Sequence, residues 1–263
     1  MLGRKSKGDK RIDEERLNNQ GCLMKIVEYI DSHNIVVEFQ DEYKAKVHTQ
    51  YVHFQIGNVN NPYRKTICNK GVVGDKYPCK IKHKHTKEYI AWRGMLLRSF
   101  DEKTKIEHPT YKDVTCCEEW LYYPNFYEWL HTQKNFDKWL SGEKWAVDKD
   151  ILIKGNKVYS PDTCCLVPMS INTIFAKKRK TNNDLPTGVR LIGECRYQVY
   201  CCNLYANKQE CLGTYSTIEE AFYTYKIYKE SYIKQVAQDE YSKGNITKEC
   251  YEAMLRYEVE ITD

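Results

Sequence analysis

The spacing of the hydrophobic residues changes partway along this chain, and that change restricts the folds it can adopt. Between Gly21 and about residue 60, apolar residues occur in short stretches such as IVVEF at residues 35–39, and β-branched and aromatic residues of this kind are typical of buried strands. From Tyr89 onward the spacing is helical, as for Trp92 and Met95. The sequence therefore predicts an α+β protein made of several small modules.

The first 20 residues are polar and rich in lysine and arginine, and we expect them to form a flexible arm. A small β module is expected at residues 21–88, with strands at 23–29, 35–39 and 46–54. It ends in a basic stretch at residues 80–87 that contains four lysines, two histidines and no acidic residue. One interpretation is a solvated loop or strand edge. The alternative, which is more specific, is a patch that contacts phosphates.

Residues 89–180 are expected to form a second module. It begins with helical spacing and continues with two predicted strands, at 147–153 and 157–167. A Gly-Asn pair between these strands is typical of a hairpin turn. Pro168 follows the second strand, and since proline is well suited to the first position of a helix, a helix is predicted to begin there.

A third module is expected at residues 185–263, after a basic segment and a polar linker. Thr217 and Glu220 form a capping box, which predicts the start of a helix. A last short helix is expected at 247–257. Three strands are predicted before the capped helix, near residues 188–192, 196–202 and 209–215.

Four short motifs in the third module carry a family resemblance. They are Gly188-Val-Arg190, Arg196-Tyr197, Leu212-Gly-Thr-Tyr215 and Thr217-x-Glu-Glu-Ala221, and in this order they resemble the APETALA2-type DNA-binding domain. The resemblance implies a three-stranded antiparallel sheet packed on a helix, with the sheet in the major groove and Arg190 in contact with a base. An arginine fork matches the O6 and N7 acceptors of guanine.

The alternation of a strand extends this prediction to further residues, because successive side chains point to opposite faces. Tyr197, Val199 and Cys201 are expected to pack on the helix with Leu212. The residues predicted to contact DNA are Arg190, Arg196, Gln198, Tyr200 and Gln209 on the sheet, together with Lys80, Lys82 and Lys84 of the basic stretch.

The second module carries a further set of motifs. Trp92-x-x-Met95-x-x-Arg98, Cys117-Glu-Glu-Trp120, Val147-Asp-Lys-Asp150 and Tyr159-Ser-Pro-Asp-Thr-Cys164 resemble, in their order, the HNH-type endonucleases of phages of Gram-positive bacteria. The resemblance implies a strand, strand, helix unit that holds one divalent metal ion. Hard oxygen ligands would suit Mg²⁺ or Mn²⁺.

The catalytic residues implied by the resemblance depart from the family pattern. Asp148 matches the metal-binding aspartate and Asn172 the residue on the helix, with Asp162 as a further candidate ligand. Lys149 stands where the catalytic histidine belongs, and with a pKa near 10 lysine is a poor base. The second strand has Thr163 where an asparagine is common. Two hypotheses stay open: a nuclease that works without this histidine, and a scaffold that has lost cleavage.

None of the seven histidines lies beyond residue 131, so the predicted hairpin has no imidazole of its own. His108 and His131 are the candidates to reach the site from outside it. Zinc is disfavoured because six of the twelve cysteines occur as adjacent pairs, whereas structural zinc sites use Cys-x₂₋₄-Cys. The adjacent pairs are Cys116-Cys117, Cys164-Cys165 and Cys201-Cys202.

These observations predict a phage-type DNA-binding protein that resembles an HNH endonuclease, with double-stranded DNA as its partner. The alternatives are a DNA-binding regulator without catalysis and a phage protein that binds and inhibits a host protein. The net charge is +5, and no apolar run approaches the length that spans a membrane. The charged N-terminus lacks the apolar segment of a signal peptide. We therefore expect a cytoplasmic protein with no membrane partner and mostly reduced cysteines.

Overall fold

A computed structural model of the chain describes residues 11–175, 185–203 and 208–262. The chain divides into two units. The first comprises Met1–Tyr89 and Leu121–Asn125, and the second comprises Ile90–Trp120 and Phe126–Asp263. Among the described residues, no helix combines the length and the apolar character needed to cross a membrane.

A four-stranded antiparallel sheet with consecutive strand order forms the first unit's core. Alternate side chains of its two central strands, among them Met24, Ile26 and Val37, are fully buried, as the alternation of the sequence predicts. Phe54 of a short helix covers them. The elements are β1 (Glu15–Leu17), β2 (Leu23–Asp31), β3 (Asn34–Phe39), β4 (Lys46–Thr49) and the helix α1 (Tyr51–Gln55).

Two predictions for this unit are corrected. Residues 15–17 are not part of a free arm, because β1 pairs with β2; residues 1–10 lie outside the described residues. The strand predicted to run to residue 54 ends at Thr49, and α1 follows. A strand would place Val52 and Phe54 on the same face, whereas the helix leaves Val52 half-exposed and buries Phe54. Burial of the phenylalanine accounts for the change of structure.

The basic stretch forms a hairpin rather than an irregular loop. Its two-residue turn consists of Lys82 and His83, both in the left-handed region with φ of 47° and 64°, which is the geometry of a type I′ turn. Lys80, Lys82 and Lys84 are exposed. The strands of the two small hairpins in this unit are β5 (Lys65–Ile67) with β6 (Gly71–Val72) and β7 (Lys80–Ile81) with β8 (Lys84–His85).

The middle of the chain alternates short helices with short strands. Two 3₁₀ turns, at Pro109–Tyr111 and Glu119–Leu121, lie between them. The elements are α2 (Lys87–Phe100), α3 (Glu102–Glu107), β9 (Thr115–Cys116), α4 (Tyr123–Thr132), α5 (Phe136–Ser141), β10 (Trp145–Asp148), β11 (Val158–Tyr159), β12 (Cys165–Pro168) and α6 (Met169–Phe175).

The predicted hairpin between residues 147 and 167 is wrong. β10 pairs with β12, in antiparallel orientation, whereas β11 pairs with β9 in parallel. The connecting segment is a loop because the Asn156 amide donates hydrogen bonds to the carbonyl oxygens of Lys149, at 2.6 Å, and Val158, at 2.8 Å. Pro168 is also corrected: it is the last residue of β12, and α6 begins one residue later. The second predicted strand is divided into β11 and β12, so three short strands precede α6. This helix is expected to run to about residue 178, and that end lies outside the described residues.

A three-stranded antiparallel sheet packed on a long helix follows, as predicted. Val199 and Cys201 are buried against Ala221 and Tyr225 of the helix, and the side chain of Thr217 accepts the N–H of Glu220 at the helix start. The elements are β13 (Val189–Gly193), β14 (Arg196–Asn203), β15 (Lys208–Tyr215), α7 (Ile218–Ser242) and α8 (Lys248–Leu255).

Gly188 permits the sheet to approach this helix closely. Its φ is +83°, and a Cβ atom built on it would lie 2.2 Å from the Tyr225 ring. A side chain at this position therefore cannot be accommodated without displacement of β13 from α7.

One hydrophobic core joins segments that the sequence divides between a second and a third module. Val167 of β12 and Ile171 of α6 are buried in the same cluster as Ile233 of α7 and Cys250 of α8. β12 and α6 thus pack against the C-terminal helices α7 and α8.

Candidate functional site

The second unit contains a cavity of about 540 Å³. Its residues come from the helices α2, α4, α5 and α6, from β10 and the loop after it, from β11 and from the first 3₁₀ turn. We call Arg98, Asp148, Lys149, Asp150 and Asn172 its polar lining, and Phe126, Trp139 and Trp145 its aromatic lining. Three of the residues that the sequence singled out, Asp148, Lys149 and Asn172, therefore meet in one cavity.

Asp148 is the last residue of β10 and is only 6% exposed. Its Oδ1 atom accepts the backbone N–H groups of Asp150 and Ile151, each at 2.8 Å. Burial raises the pKa of Asp148 to about 6, and the negative charge of Asp150 adds to this effect, whereas the two backbone donors oppose it. The site thus holds a desolvated carboxyl group beside a second carboxylate.

Lys149 is fixed on both sides of its ammonium group. Its Nζ atom lies 3.1 Å from Oδ2 of Asp150 and donates to the carbonyl oxygen of Asn156 at 3.3 Å. The ammonium also lies 5.9 Å from the centre of the Tyr159 ring. A lysine ammonium donates hydrogen bonds and accepts none, so this position offers a cation for an anionic ligand rather than an acceptor for a proton.

Asn172 lies on α6, within the turn after the helix start, and lines the cavity. Its side chain makes no hydrogen bond to any other described residue. The amide oxygen is therefore available to a ligand within the cavity.

The polar lining contains oxygen atoms of the kind that bind a divalent cation. Asp148 forms no ion pair with a lysine or arginine in the described part of the chain, and a buried carboxylate without a counter-charge is unfavourable. Two carboxylates and one amide oxygen are hard ligands, and Mg²⁺ commonly binds through one or two carboxylates while it keeps several waters. No group of three or more His, Cys, Asp or Glu is placed to hold a metal in residues 11–175, 185–203 and 208–262.

The predicted ligand Asp162 is corrected. It is exposed in the turn before β12 and does not line the cavity. The neighbouring residue Thr163 stabilises that turn, because its hydroxyl donates a hydrogen bond to the carbonyl oxygen of Val158 at 2.7 Å. The pairing of β12 with β10 begins three residues after Asp162, at Cys165, which leaves Asp162 outside the cavity.

No histidine lines the cavity. His131 stacks on Tyr127, with 4.0 Å between the ring centres, and also contacts Phe136 at the same distance. His108 lies 5.9 Å from the ring of Tyr111, and that tyrosine does line the cavity. The candidate imidazoles of the sequence analysis are therefore not brought into the polar lining.

Arg98 is a site residue that sequence reasoning missed. Its Nε atom donates to the hydroxyl of Tyr159 at 2.9 Å, and the guanidinium lies 5.4 Å from the centre of that ring. Burial raises the pKa of Tyr159 to about 12, and the nearby Arg98 opposes this rise. The available signal was helical spacing, because Ala91, Met95 and Arg98 share one face of α2 and all line the cavity.

The C-terminal sheet presents a second group of polar residues on the face away from α7. Arg190 donates from Nε and one terminal nitrogen to Oε1 of Gln198, at 3.2 and 2.9 Å, and to the hydroxyl of Tyr200. Its guanidinium lies 4.1 Å from the centre of the Tyr200 ring. Gln198 in turn donates to the sulfur of Cys211 at 3.4 Å. These contacts hold Arg190 against the sheet face.

The other residues predicted to contact DNA are exposed. Arg196 begins β14, and Gln209 lies opposite Cys202 on β15. Neither forms a side-chain hydrogen bond with another described residue. Lys80, Lys82 and Lys84 lie in the β7–β8 hairpin of the first unit.

Comparisons of the chain with models of protein families, with curated proteins and with solved structures find no match.

Proposed function

We propose that this chain binds double-stranded DNA and hydrolyses phosphodiester bonds at the cavity of the second unit, with the help of Mg²⁺ or Mn²⁺. The observation that carries the proposal is the meeting of Asp148, Lys149, Asp150 and Asn172 with Arg98 in one cavity. Carboxylate and amide oxygens beside two cationic side chains form a combination that suits a metal ion and a phosphate together.

In this proposal Asp148, Asp150 and Asn172 hold the metal ion. When bound, the ion would polarise the phosphate and lower the pKa of a bound water. Lys149 and Arg98 bind non-bridging phosphate oxygens, and Tyr159 orients the guanidinium of Arg98. Hydrolysis forms one P–O bond to the oxygen of water and breaks another; the attacking water gives up one proton to the solvent, and the departing oxygen takes one up.

DNA binding is assigned to two surfaces in this proposal. Arg190, Gln198 and Tyr200 on the outer sheet face form a planar polar group that suits a base edge in the major groove. The basic hairpin supplies three exposed lysines that suit backbone phosphates. The resemblance of the third module to APETALA2-type domains is consistent with the first assignment.

The decisive experiment incubates the full chain with supercoiled plasmid in Mg²⁺, in Mn²⁺ and in EDTA. We expect nicked or linear DNA with either metal and none with EDTA. Asp148→Asn should abolish cleavage and retain DNA binding. Asp162→Asn is the matched control, because Asp162 is exposed and lies outside the cavity.

A DNA-binding regulator without catalysis is the second candidate. It is favoured by one observation, the presence of Lys149 and the absence of any histidine among the residues that line the cavity. A chain that binds DNA with a steep salt dependence but is inert in both metals would support the regulator. A chain that neither binds nor cleaves DNA would leave the inhibition of a host protein as the remaining hypothesis.

A further inference from the structure

The cavity is larger than the binding of a scissile phosphate requires. Its volume of about 540 Å³ lies within the range of roughly 300–1,000 Å³ that is usual for small-molecule sites. Metal ligands and phosphate-binding cations account for the polar lining only. The aromatic lining of Phe126, Trp139 and Trp145 has no role in the proposed hydrolysis.

We propose that the aromatic lining receives an unstacked DNA base while the phosphate of the same nucleotide contacts the polar lining. The favoured substrate is then single-stranded or locally opened DNA. This inference rests on the proposed function for the role of the phosphate, and it adds the class of substrate.

Both linings include residues of β10. Trp145 and Asp148 are the first and last residues of the strand, and every residue from Trp145 to Asp150 lines the cavity. The backbone positions of Trp145 and Asp148 are about 10 Å apart along the strand, a length comparable with that of one nucleotide from its base to its phosphate. A base in a duplex is stacked on its neighbours and bonded to its partner, so it must leave the stack before it can enter a cavity.

Trp145 is held in place as a fixed part of the lining. It is 7% exposed, its indole N–H donates to Glu143 at 3.3 Å, and the ammonium of Lys138 lies 5.7 Å from the ring. Lys138 is itself bound to the side-chain oxygen of Asn245 at 2.9 Å. An indole held by these contacts has a fixed position, and stacking on an aromatic side chain tolerates any base.

Trp139 is the residue to change in a test. It lies on α5 and is half-buried, so its replacement by leucine disturbs the core less than replacement of Trp145. Tyr241 supplies the control. It is a partly exposed aromatic residue of the same unit that stacks on Tyr251, with 4.6 Å between the ring centres, and it does not line the cavity.

The experiment measures base contact in EDTA, where hydrolysis does not contribute. A nine-nucleotide DNA with one 5-iodouracil is irradiated with the full chain as a single strand, in a matched duplex and in a duplex with a mismatch at that base. Mass spectrometry locates the crosslink. We expect crosslinks at Trp139 or Trp145 from the single strand and the mismatch, at least 5-fold above the matched duplex.

The variants complete the test. Trp139→Leu should weaken the binding of a 5′-phosphorylated dinucleotide by roughly 5- to 100-fold, in line with the loss of one stacked base. The control Tyr241→Leu should leave this binding unchanged. Circular dichroism verifies that both variants are folded. Equal crosslinking from the matched duplex, crosslinks only outside the cavity, or unchanged binding by Trp139→Leu would overturn the inference. Cleavage is scored separately in Mg²⁺ and Mn²⁺, so a chain that binds the base without cleavage refutes the proposed hydrolysis alone.

Discussion

The carboxylate of Asp148 is held by the backbone of Ile151, whose N–H group donates to Oδ1 at 2.8 Å. A second N–H group, from Asp150, donates to the same oxygen at the same distance. Strand β10 ends at Asp148, where this turn begins. The two hydrogen bonds of the turn also fix the carboxyl group of Asp148, which lines the cavity. The order of the local sequence thereby sets the orientation of the principal candidate metal ligand.

The titration of Asp148 should be visible in the stability of the metal-free protein. Its pKa of about 6 in the folded chain, against an ordinary value of 3.8, means that the folded state holds the proton more tightly than the unfolded state. Stability should therefore fall as the pH rises from about 4 to above 6, by on the order of 3 kcal/mol. Asp148→Asn retains the acceptor oxygen and removes this fall.

Denaturant unfolding in EDTA at several pH values measures this difference. At pH 7.5 the Asp148→Asn variant should be more stable than the wild type without metal, and Mn²⁺ should stabilise only the wild type. Parallel pH profiles for the two proteins would show that Asp148 does not titrate as its burial requires.

Lys149→His tests the missing general base. An imidazole has an ordinary pKa near 6.5 and accepts a proton at neutral pH, so this variant should cleave plasmid about 10- to 100-fold faster than the wild type. Lys149→Met removes the charge and offers no base, and it should be slower than both. Initial rates of nicking in Mn²⁺ make the comparison. If Lys149→His is no faster than Lys149→Met, the absence of an imidazole is not what limits the wild type.

Arg98 is expected to bind the phosphate, and its orientation depends on Tyr159. Arg98→Gln should lower kcat by about 10- to 1,000-fold, because removal of one preorganised donor in an active site has an effect of this size. Tyr159→Phe keeps the ring and removes the hydroxyl, and its smaller fall in kcat should come with unchanged metal affinity. Single-turnover rates at saturating metal provide the measurement. If Arg98→Gln and the wild type have equal rates, Arg98 does not bind the phosphate.

Arg190 should carry base recognition on the outer sheet face. Arg190→Ala should weaken binding to a selected duplex site by about 1–3 kcal/mol if the guanidinium contacts guanine in bidentate fashion. Arg256→Ala is the control, because Arg256 lies beyond α8 and is exposed, with its side chain 4.0 Å from Glu252. Gel-shift titration at a fixed salt concentration measures the affinity of both variants. If Arg190→Ala binds as tightly as the wild type, the C-terminal sheet is not part of the DNA interface.

The basic hairpin should contribute to affinity without sequence preference. Replacement of Lys80, Lys82 and Lys84 by glutamine should reduce the slope of log K against log salt concentration. The reduction should be up to about 3 in magnitude, since each phosphate contact contributes roughly 0.9 to the slope. The control is the triple replacement of three exposed lysines elsewhere, Lys103, Lys112 and Lys248. A slope unchanged from wild type, or changed equally by the control, would identify the hairpin as an ordinary solvated surface.

Where contacts are local in sequence, residue patterns predicted the structure well. The capping box at Thr217 and Glu220 starts α7, and the alternation along β14 places Val199 toward the helix and Gln198 toward the outer face. Both patterns operate within a few residues and follow from backbone geometry alone.

The candidate site depended more on contacts between distant residues. Asp148 and Lys149 were assigned to the site from their motif, whereas Arg98 stands in another motif and was given no role, because the tyrosine that orients it lies 61 residues away. The predicted partner of the first strand was also wrong. A Gly-Asn pair is typical of hairpins, but the hydrogen bonds of Asn156 close a loop instead, and β10 pairs with the later β12.

The sequence by itself determined the α+β class and the outer and inner faces of the C-terminal sheet, whereas the strand predicted at 147–153 ends at Asp148 in a turn. Tertiary structure alone decided that Phe54 lies in a helix, that β12 and not β11 pairs with β10, and that Arg98 lines the same cavity as Asp148. The physical reason is that burial of large side chains and long-range pairing outweigh weak local preferences. Such gains depend on which distant surfaces meet, and short-range patterns do not encode that.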